Sequence, residues 1–191
     1  MKKILAASIL AGTMLLGSIS LVSAEHIFRN LGAPVYLSAA TEFSGGDGSE
    51  ESPYEISSAQ ELQLLSDLLG NQADRTTEYG QKNYILTADI SLNDTSAYEN
   101  WKENRPEYDW RPIGRECNFT GTFDGNGYTI SGLYINGEKT EDDGKNTEYG
   151  LFANSFGSIK NLTVEKAYVE VSGYPVDIGI LVGELLKEGT V

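Results

Sequence analysis

The sequence predicts an all-β solenoid with one α-helix, because short apolar segments recur at spacings near thirty residues. The clearest pair is residues 130–135 (ISGLYI) and residues 159–164 (IKNLTV), which share their apolar positions 29 residues apart. Two weaker repeats have spacings of thirty and thirty-two residues: 149–153 with 179–183, and 157–159 with 189–191. A unit of this size cannot bury its own hydrophobic face, so successive units are expected to stack around one core.

The first 24 residues are typical of a secretory signal peptide. The start is positive (Lys2 and Lys3), residues 4–22 form an uncharged apolar run, and the run ends in small residues before position 25. Removal of residues 1–24 takes away two lysines and no acid, so the formal charge changes from −14 to −16. Such an acidic surface repels phosphate backbones, which argues against nucleic acid as a partner. We expect a secreted or cell-surface protein without a membrane segment after cleavage.

Three segments follow the signal peptide. Residues 25–42 show no periodicity and are expected to form a linker, residues 43–82 an N-terminal cap with a helix, and residues 83–191 the stacked strands. The only histidine, His26, lies in the linker and is expected to be a terminal residue rather than a ligand. The only cysteine, Cys117, cannot form an internal disulfide and is expected to be a small buried residue.

The cap begins with a predicted strand and continues with a predicted helix. Tyr54 and Ile56 indicate the strand, and Ser58 and Glu61 form a capping box that satisfies free amides at the start of the helix. One helix face carries three leucines: Leu62, Leu65 and Leu69. Gly70 is predicted to end the helix in the left-handed conformation. This helix would cover the first layer of strands, whose edges would otherwise face water.

The predicted strands of the solenoid are separated by recognisable turns. Residues 82–92 form a strand region, and residues 124–127 (DGNG) predict a tight turn, because Asn and Gly accept positive backbone angles. Residues 137–148 are charged and lack apolar side chains, so they are expected to form an excursion between strands.

The last predicted layer carries apolar residues that no later strand in the sequence would cover. These residues are Ile180, Leu181, Val182, Leu185 and Leu186. Unpaired strand edges are templates for pairing with another chain. Edge-to-edge self-association is therefore expected.

Several segments resemble, in their order along the chain, bacterial surface proteins that carry the GLUG motif. These segments are residues 45–56, the helix that follows, and residues 84–92, 110–114, 119–133, 149–152 and 179–183. The last two are similar to the repeat motif itself. The resemblance implies a right-handed parallel β-helix over residues 43–191 and an adhesin-like role. Related repeats precede zinc peptidase domains that cut immunoglobulin A, so the resemblance also implies an alternative, the N-terminal region of a larger secreted enzyme.

The sequence offers little catalytic or metal-binding chemistry. One histidine is too few for an H-E-x-x-H zinc site, and a catalytic triad based on this terminal imidazole is not expected. Calcium is the one cofactor for which the sequence offers candidate sites. The turn at residues 45–50 lacks the tandem copies of calcium-binding repeats, residues 124–135 lack the Gly and Glu of an EF-hand loop, and the acids at 141–143 are expected to be solvated. No catalytic, cofactor-binding or metal-binding residue is assigned.

Parallel β-helices also include enzymes that cleave acidic polysaccharides with clustered carboxylates and a basic residue. Asp89, Asp124 and Asp177 are the candidate acids, with Arg111 or Arg115 as the base. Glycoside hydrolysis needs two carboxylates about 5–10 Å apart. No local spacing in the sequence enforces such a pair, so the chain is expected to be non-catalytic.

The best candidate for ligand binding is the loop between residues 93 and 111, called the aromatic loop below. It carries four large aromatic residues among acidic ones: Tyr98, Trp101, Tyr108 and Trp110. Aromatic faces stack on sugars or anchor protein partners, and acids orient hydroxyl groups. The competing interpretation, which we favour, is that the tryptophans pack against the strands as a satellite core. The partner would be a glycan or protein of a host or neighbouring cell.

Overall fold

The computed structural model of the chain describes residues 35–70, 78–139, 148–173, 177–186 and 189–191. The predicted signal peptide, His26 and the acids at 141–143 lie outside the described residues. Within them the chain forms one α-helix, α1 (Ala59–Leu68), and thirteen strands. The strands are β1 (Tyr54–Ile56), β2 (Asn83–Leu86), β3 (Ile90–Ser91), β4 (Thr122–Asp124), β5 (Thr129–Ser131), β6 (Tyr134–Lys139), β7 (Glu148–Tyr149), β8 (Phe152–Ser155), β9 (Ser158–Lys160), β10 (Thr163–Glu165), β11 (Tyr168–Gly173), β12 (Asp177–Ile178) and β13 (Val182–Leu185).

All pairs between these named strands are parallel. The strand orders are β1-β2-β4-β9, β10-β5-β3, β11-β6, β12-β7 and β13-β8. Paired strand residues lie between 29 and 40 positions apart in the sequence, so each pair joins two separate stretches of chain. The predicted fold of parallel strands with one helix is thus confirmed for the part of the chain that the structure describes.

The core lies between the strands, where apolar residues of successive strands meet in register. Tyr84 of β2 pairs with Phe123 of β4, which pairs with Ile159 of β9. These side chains are 1%, 0% and 2% exposed. Ile90 and Ile130 form a similar pair in the second sheet. Alignment of equivalent apolar residues from strand to strand gives one continuous core cluster.

Helix α1 begins and buries its face as the sequence predicts. Ser58 is the N-cap, and its hydroxyl accepts a hydrogen bond from the amide of Glu61. Leu62, Leu65 and Leu69 are at most 1% exposed and belong to the core cluster. The leucine spacing thus directs one face of the helix onto the strands.

The carboxylate of Glu61 joins the start of the helix to the segment before β1. Its Oε2 accepts hydrogen bonds from the amide of Ser57 at 2.7 Å and from the hydroxyls of Ser57 and Ser58 at 2.8 and 3.0 Å. The hydroxyl of Ser44 donates to its Oε1. Burial alone would raise the pKa of Glu61, but these hydrogen bonds outweigh burial and hold the pKa below its usual value.

Replacing Glu61 by glutamine is expected to lower the free energy of unfolding at neutral pH by about 1–3 kcal/mol, because several donors lose their charged acceptor. The folded pKa is depressed, so this contribution is present above the unfolded pKa of about 4.3 and is lost as pH falls through the folded value. Urea unfolding should show the difference between wild type and Glu61→Gln shrinking below about pH 4. Exposed Glu51→Gln is the control; an undiminished Glu61 effect in acid would contradict the assignment.

The predicted left-handed end of the helix at Gly70 is wrong. Gly70 does not have a positive φ, and the C-cap residue Leu69 has φ −95° and ψ −1°. A Cβ on Gly70 would lie 2.7 Å from Nη2 of Arg115, which donates to the Gly70 carbonyl oxygen at 3.3 Å. Glycine at this position therefore provides room for an arginine side chain, a role that local helix chemistry does not reveal.

The turn at residues 124–127 forms as predicted, but the register inferred from residues 130–135 and 159–164 is wrong. Asn126 and Gly127 have φ values of 51° and 80°. Four residues separate β4 from β5, whereas two separate β9 from β10. Ile159 pairs with Phe123, 36 positions earlier, and the longer turn reduces the offset of the next pair to 34, so Val164 lies beside Ile130. Residues 130–135 and 159–164 are consequently not equivalent positions, although they share an apolar pattern.

The two weaker repeats agree with strand pairs in the structure. Val182 pairs with Phe152, thirty residues earlier, and Thr190 bridges to Ser158, thirty-two residues earlier. The predicted excursion over residues 137–148 is wrong at both ends, because β6 runs to Lys139 and pairs with β11, and β7 begins at Glu148. Residues 140–147 lie outside the described residues. Cross-strand hydrogen bonding thus extends β6 into a segment without apolar residues.

Candidate functional site

The aromatic loop is tied to the strands at both ends by Asn93, which is 6% exposed. Its Nδ2 donates to the carbonyl oxygens of Tyr108 and Gly132, each at 2.9 Å, and its Oδ1 accepts from the amide of Tyr108 at 2.8 Å. One amide side chain therefore joins the end of β3, the far end of the loop and the turn before β6. The sequence pattern did not single out Asn93, and its anchoring role was missed.

Trp101 lies inside the molecule and is 2% exposed. Its ring meets Tyr98 edge-on at a centroid distance of 5.2 Å and Tyr134 of β6 at 5.8 Å, with an interplanar angle of 90° to Tyr134. Edge-to-face contacts at these distances are the favoured geometry of aromatic packing. Trp101 thus holds the loop against β6 and presents no open face to a ligand.

Trp110 is also buried, at 4% exposure. Its indole Nε1 donates to the carbonyl oxygen of Leu151 at 3.0 Å, and its backbone amide donates to the carbonyl oxygen of Tyr134 at 2.7 Å. Both N–H groups of the residue therefore donate to neighbouring backbone carbonyls. The structure therefore places the two tryptophans of the predicted binding set in the packing role.

Tyr98 and Tyr108 are the two members of the predicted set that keep accessible surface, and both are half-buried. The Tyr98 hydroxyl donates to the carbonyl oxygen of Ala167 at 3.1 Å, just before β11. Glu99 and Glu103, in the same loop, are exposed. The accessible part of the loop is thus a tyrosine edge beside carboxylates, not a tryptophan face.

Tyr168 of β11 adds to this surface, and the sequence analysis missed it. Its ring stacks on Tyr134 at 5.3 Å and 15°, and these two residues are partners in register. Its hydroxyl donates to the carboxylate of Glu170, which raises the pKa of Tyr168 to about 12. The spacing of 34 residues between the tyrosines was the available signal, but the register inferred from residues 130–135 obscured it.

The three acids considered for catalysis do not form a carboxylate pair on strands of one sheet. Asp124 ends β4 and Asp177 begins β12, which belongs to another sheet. Exposed Asp89 accepts a hydrogen bond from the amide of Thr129 at 2.8 Å. Each of these acids therefore belongs to a different local setting.

Asp124 has a structural use at the turn. Its Oδ1 accepts from the amide of Asn126 at 2.8 Å and from Nδ2 of Asn161 at 3.1 Å, and Nζ of Lys160 lies 3.4 Å from Oδ2. Burial opposes ionisation, but these partners hold the pKa of Asp124 below its usual value. A carboxylate that remains ionised at neutral pH is poorly suited to act as a general acid.

The two candidate arginines lie at the C-terminal end of α1. Nη1 of Arg111 is 3.2 Å from Oδ1 of Asp67, and its guanidinium lies 4.0 Å from the ring centroid of Tyr36. Arg115 is half-buried and donates to the carbonyl oxygen of Gly70. Cations near the C-terminal carbonyls of a helix complement its dipole, which gives both arginines a structural role.

Within the described residues, no group of three or more His, Cys, Asp or Glu side chains could hold a metal ion. In the turn at 45–50, Oδ1 of Asp47 accepts a hydrogen bond from the amide of Ser49 at 2.9 Å. Cys117 is buried, as predicted. The structure also contains, among these residues, no helix of the length and apolarity needed to cross a bilayer.

A second candidate surface is the layer formed by β10–β13 with their connections, residues 162–173 and 177–186, called the open layer below. Three apolar side chains in it are exposed: Ile178 (47%), Ile180 (54%) and Leu185 (46%). Leu181, Val182 and Leu186, which the sequence also placed there, are half-buried. The predicted apolar layer is therefore present on the surface of the described structure.

No protein-family model matches the chain, and no solved structure matches it. A protein described as a Gly-rich membrane protein of Evansella cellulosilytica is 34% identical over 144 residues, which are 74% of this chain and 14% of that protein. Halomucin of Haloquadratum walsbyi is 34% identical over 148 residues, which are 76% of this chain and 1% of halomucin. The chain thus spans a small part of these relatives.

Proposed function

We propose that the chain is a module of an exported surface protein, built as a right-handed parallel β-helix of the kind found in GLUG-motif proteins. The observation that carries this proposal is the parallel register between strands 29 to 40 residues apart, which recurs in five sheets. Parallel strands of one sheet are joined by right-handed crossovers in nearly all proteins. Successive turns of chain, each adding one strand to several sheets, would form such a helix.

The location at the surface is supported by the signal-peptide pattern at residues 1–24 and by the names of the relatives. One relative is described as a membrane protein and the other as a halomucin. The acidic composition, with a formal charge of −14, suits a protein exposed to solvent outside the cell.

The module acts as an adhesin-like binding surface or as a stalk, and it is non-catalytic in itself. The accessible tyrosines Tyr98, Tyr108 and Tyr168 and the neighbouring carboxylates offer a face for a glycan or protein of another cell. Trp101 and Trp110 support this face from inside. The acids considered for catalysis have structural partners, as Asp124 illustrates.

An antibody raised against residues 43–191 should label intact cells of the source organism, and protease treatment of those cells should remove the signal. A cytoplasmic protein, probed in parallel, should resist the protease. Labelling only after lysis would contradict the proposal. Binding of the purified chain to intact cells would then distinguish an adhesin from a stalk, and hydrolysis of a peptide or polysaccharide by the chain would contradict the non-catalytic role.

A further inference from the structure

Three consecutive stretches of chain lie side by side in the described structure. The first stretch carries β2 and β3, the second carries β4, β5 and β6, and the third carries β9, β10 and β11. In the sheet orders β1-β2-β4-β9 and β10-β5-β3, a strand of the second stretch lies between strands of the other two. Among the described residues, strand pairing therefore joins the first stretch to the second and the second to the third, but does not join the first to the third.

The aromatic loop belongs to the first stretch, yet it contacts the third. The Tyr98 hydroxyl donates to the carbonyl oxygen of Ala167 at 3.1 Å, just before β11, and Nζ of Lys166 donates to Oγ1 of Thr95 at 3.3 Å. These partners are 69 and 71 positions apart, whereas paired strand residues are 29 to 40 positions apart. The loop therefore reaches across the second stretch to the third.

Aromatic rings make a second connection between the same three stretches. Within the loop, Trp101 meets Tyr98 at a centroid distance of 5.2 Å, and on its way to the second stretch it meets Tyr134 at 5.8 Å. Tyr134 in turn stacks on Tyr168 of the third stretch at 5.3 Å and 15°. Trp101 and Tyr134 are 2% and 1% exposed, so these contacts are shielded from water. The four rings thus form a continuous column from the loop to β11.

The length and order of the aromatic loop indicate a role for it. It spans residues 93–111, and connections longer than about 12–15 residues are uncommon in compact domains unless they are functional or disordered. Both ends of this loop are fixed by the hydrogen bonds of Asn93, and its centre is fixed by the buried ring of Trp101. The loop is therefore a well-packed bridge between stretches of chain that strand pairing does not join.

We propose that the aromatic loop is a strap that makes the three stretches open as one cooperative unit. Where repeated units contact only their neighbours, stability is a sum of intrinsic and nearest-neighbour terms, and units can open in succession. The strap adds contacts between the first and third stretches, so opening of the third also breaks contacts with the first. Fewer partial openings expose less backbone to proteases outside the cell. A strap of this kind serves a binding surface and a stalk alike.

Hydrogen exchange of two backbone amides in dilute urea tests the strap. The amide of Leu92, in the first stretch, donates to the carbonyl oxygen of Ser131, and the amide of Tyr168, in the third, donates to that of Leu133. Each amide therefore reports the separation of its own stretch from the second. In the wild-type chain, recovered after export, both amides should exchange through one shared opening and show the same dependence on urea.

Tyr98→Phe removes the hydroxyl that donates to Ala167 and keeps the aromatic ring, so the chain should fold normally. The amide of Tyr168 should then exchange roughly two- to tenfold faster, which is the effect of one net hydrogen bond, and with a weaker dependence on urea. Exchange of the Leu92 amide should not change. Tyr128→Phe is the matched control, because it removes the hydroxyl of another half-buried tyrosine outside the aromatic loop. It should leave both rates unchanged.

Four outcomes would overturn the strap. The first is a wild-type chain in which the Tyr168 amide opens independently of the Leu92 amide. The others concern the variants: no acceleration in Tyr98→Phe, equal acceleration of both amides in Tyr98→Phe, or the same acceleration in Tyr128→Phe. None of these outcomes bears on surface labelling of cells, so the proposed function is tested separately.

Discussion

Replacing Phe123 by alanine is expected to lower the free energy of unfolding by about 3–5 kcal/mol. Phe123 is 0% exposed, lies on β4 between Tyr84 and Ile159, and meets the ring of Phe152 at 5.3 Å. Removal of the ring deletes contacts to neighbouring strands and leaves a cavity that a stack of short parallel strands cannot easily close. Urea unfolding followed by tryptophan fluorescence would measure the loss.

Phe156→Ala is the matched control, because it deletes the same ring from a side chain that is 37% exposed. Its effect should remain below about 1 kcal/mol. If the two substitutions destabilised the protein equally, Phe123 would not occupy the centre of a shared core, and the strand register through β2, β4 and β9 would be incorrect.

Replacing Asn93 by alanine is expected to lower the free energy of unfolding by about 2–4 kcal/mol and to release the aromatic loop. The substitution leaves the carbonyl oxygens of Tyr108 and Gly132 and the amide of Tyr108 without their partner. Each unsatisfied buried polar group costs about 1–3 kcal/mol, reduced where water can enter. Urea unfolding measures the stability, and limited proteolysis reports cleavage between residues 94 and 108.

Asn100→Ala provides the comparison within the same loop, since Asn100 is exposed. It should change neither stability by more than about 0.5 kcal/mol nor the cleavage pattern. A loop that resisted proteolysis in Asn93→Ala would show that Trp101 and Trp110 hold it without the asparagine, and the anchoring role of Asn93 would be refuted.

The local features of the fold could be predicted because neighbouring residues determine them. Ser58 caps the helix and accepts from Glu61, as their spacing predicts. The turn at residues 124–127 follows from the tolerance of Asn126 and Gly127 for positive φ. In each case the relevant hydrogen bond or backbone angle lies within a few residues of the side chain that causes it.

The candidate site was only partly predictable. The sequence marks the aromatic loop by its four large rings, but it does not reveal that Trp101 packs against Tyr134 or that Trp110 donates to Leu151. These contacts join residues 33 and 41 positions apart. The same aromatic residue types occur in binding faces and in cores, and only the position of the neighbouring strand distinguishes the two.

The sequence by itself determined that the fold is rich in strands, that it has a capped helix and that it has a tight turn, because these features depend on apolar periodicity and on short-range hydrogen bonds. Only the tertiary structure decided the register that pairs Val164 with Ile130, the use of Asn93 as an anchor and the room that Gly70 leaves for Arg115. The physical reason is the distance along the chain. Parallel pairing joins residues 29 to 40 positions apart, and turn lengths between them shift the register without changing the apolar pattern of either strand.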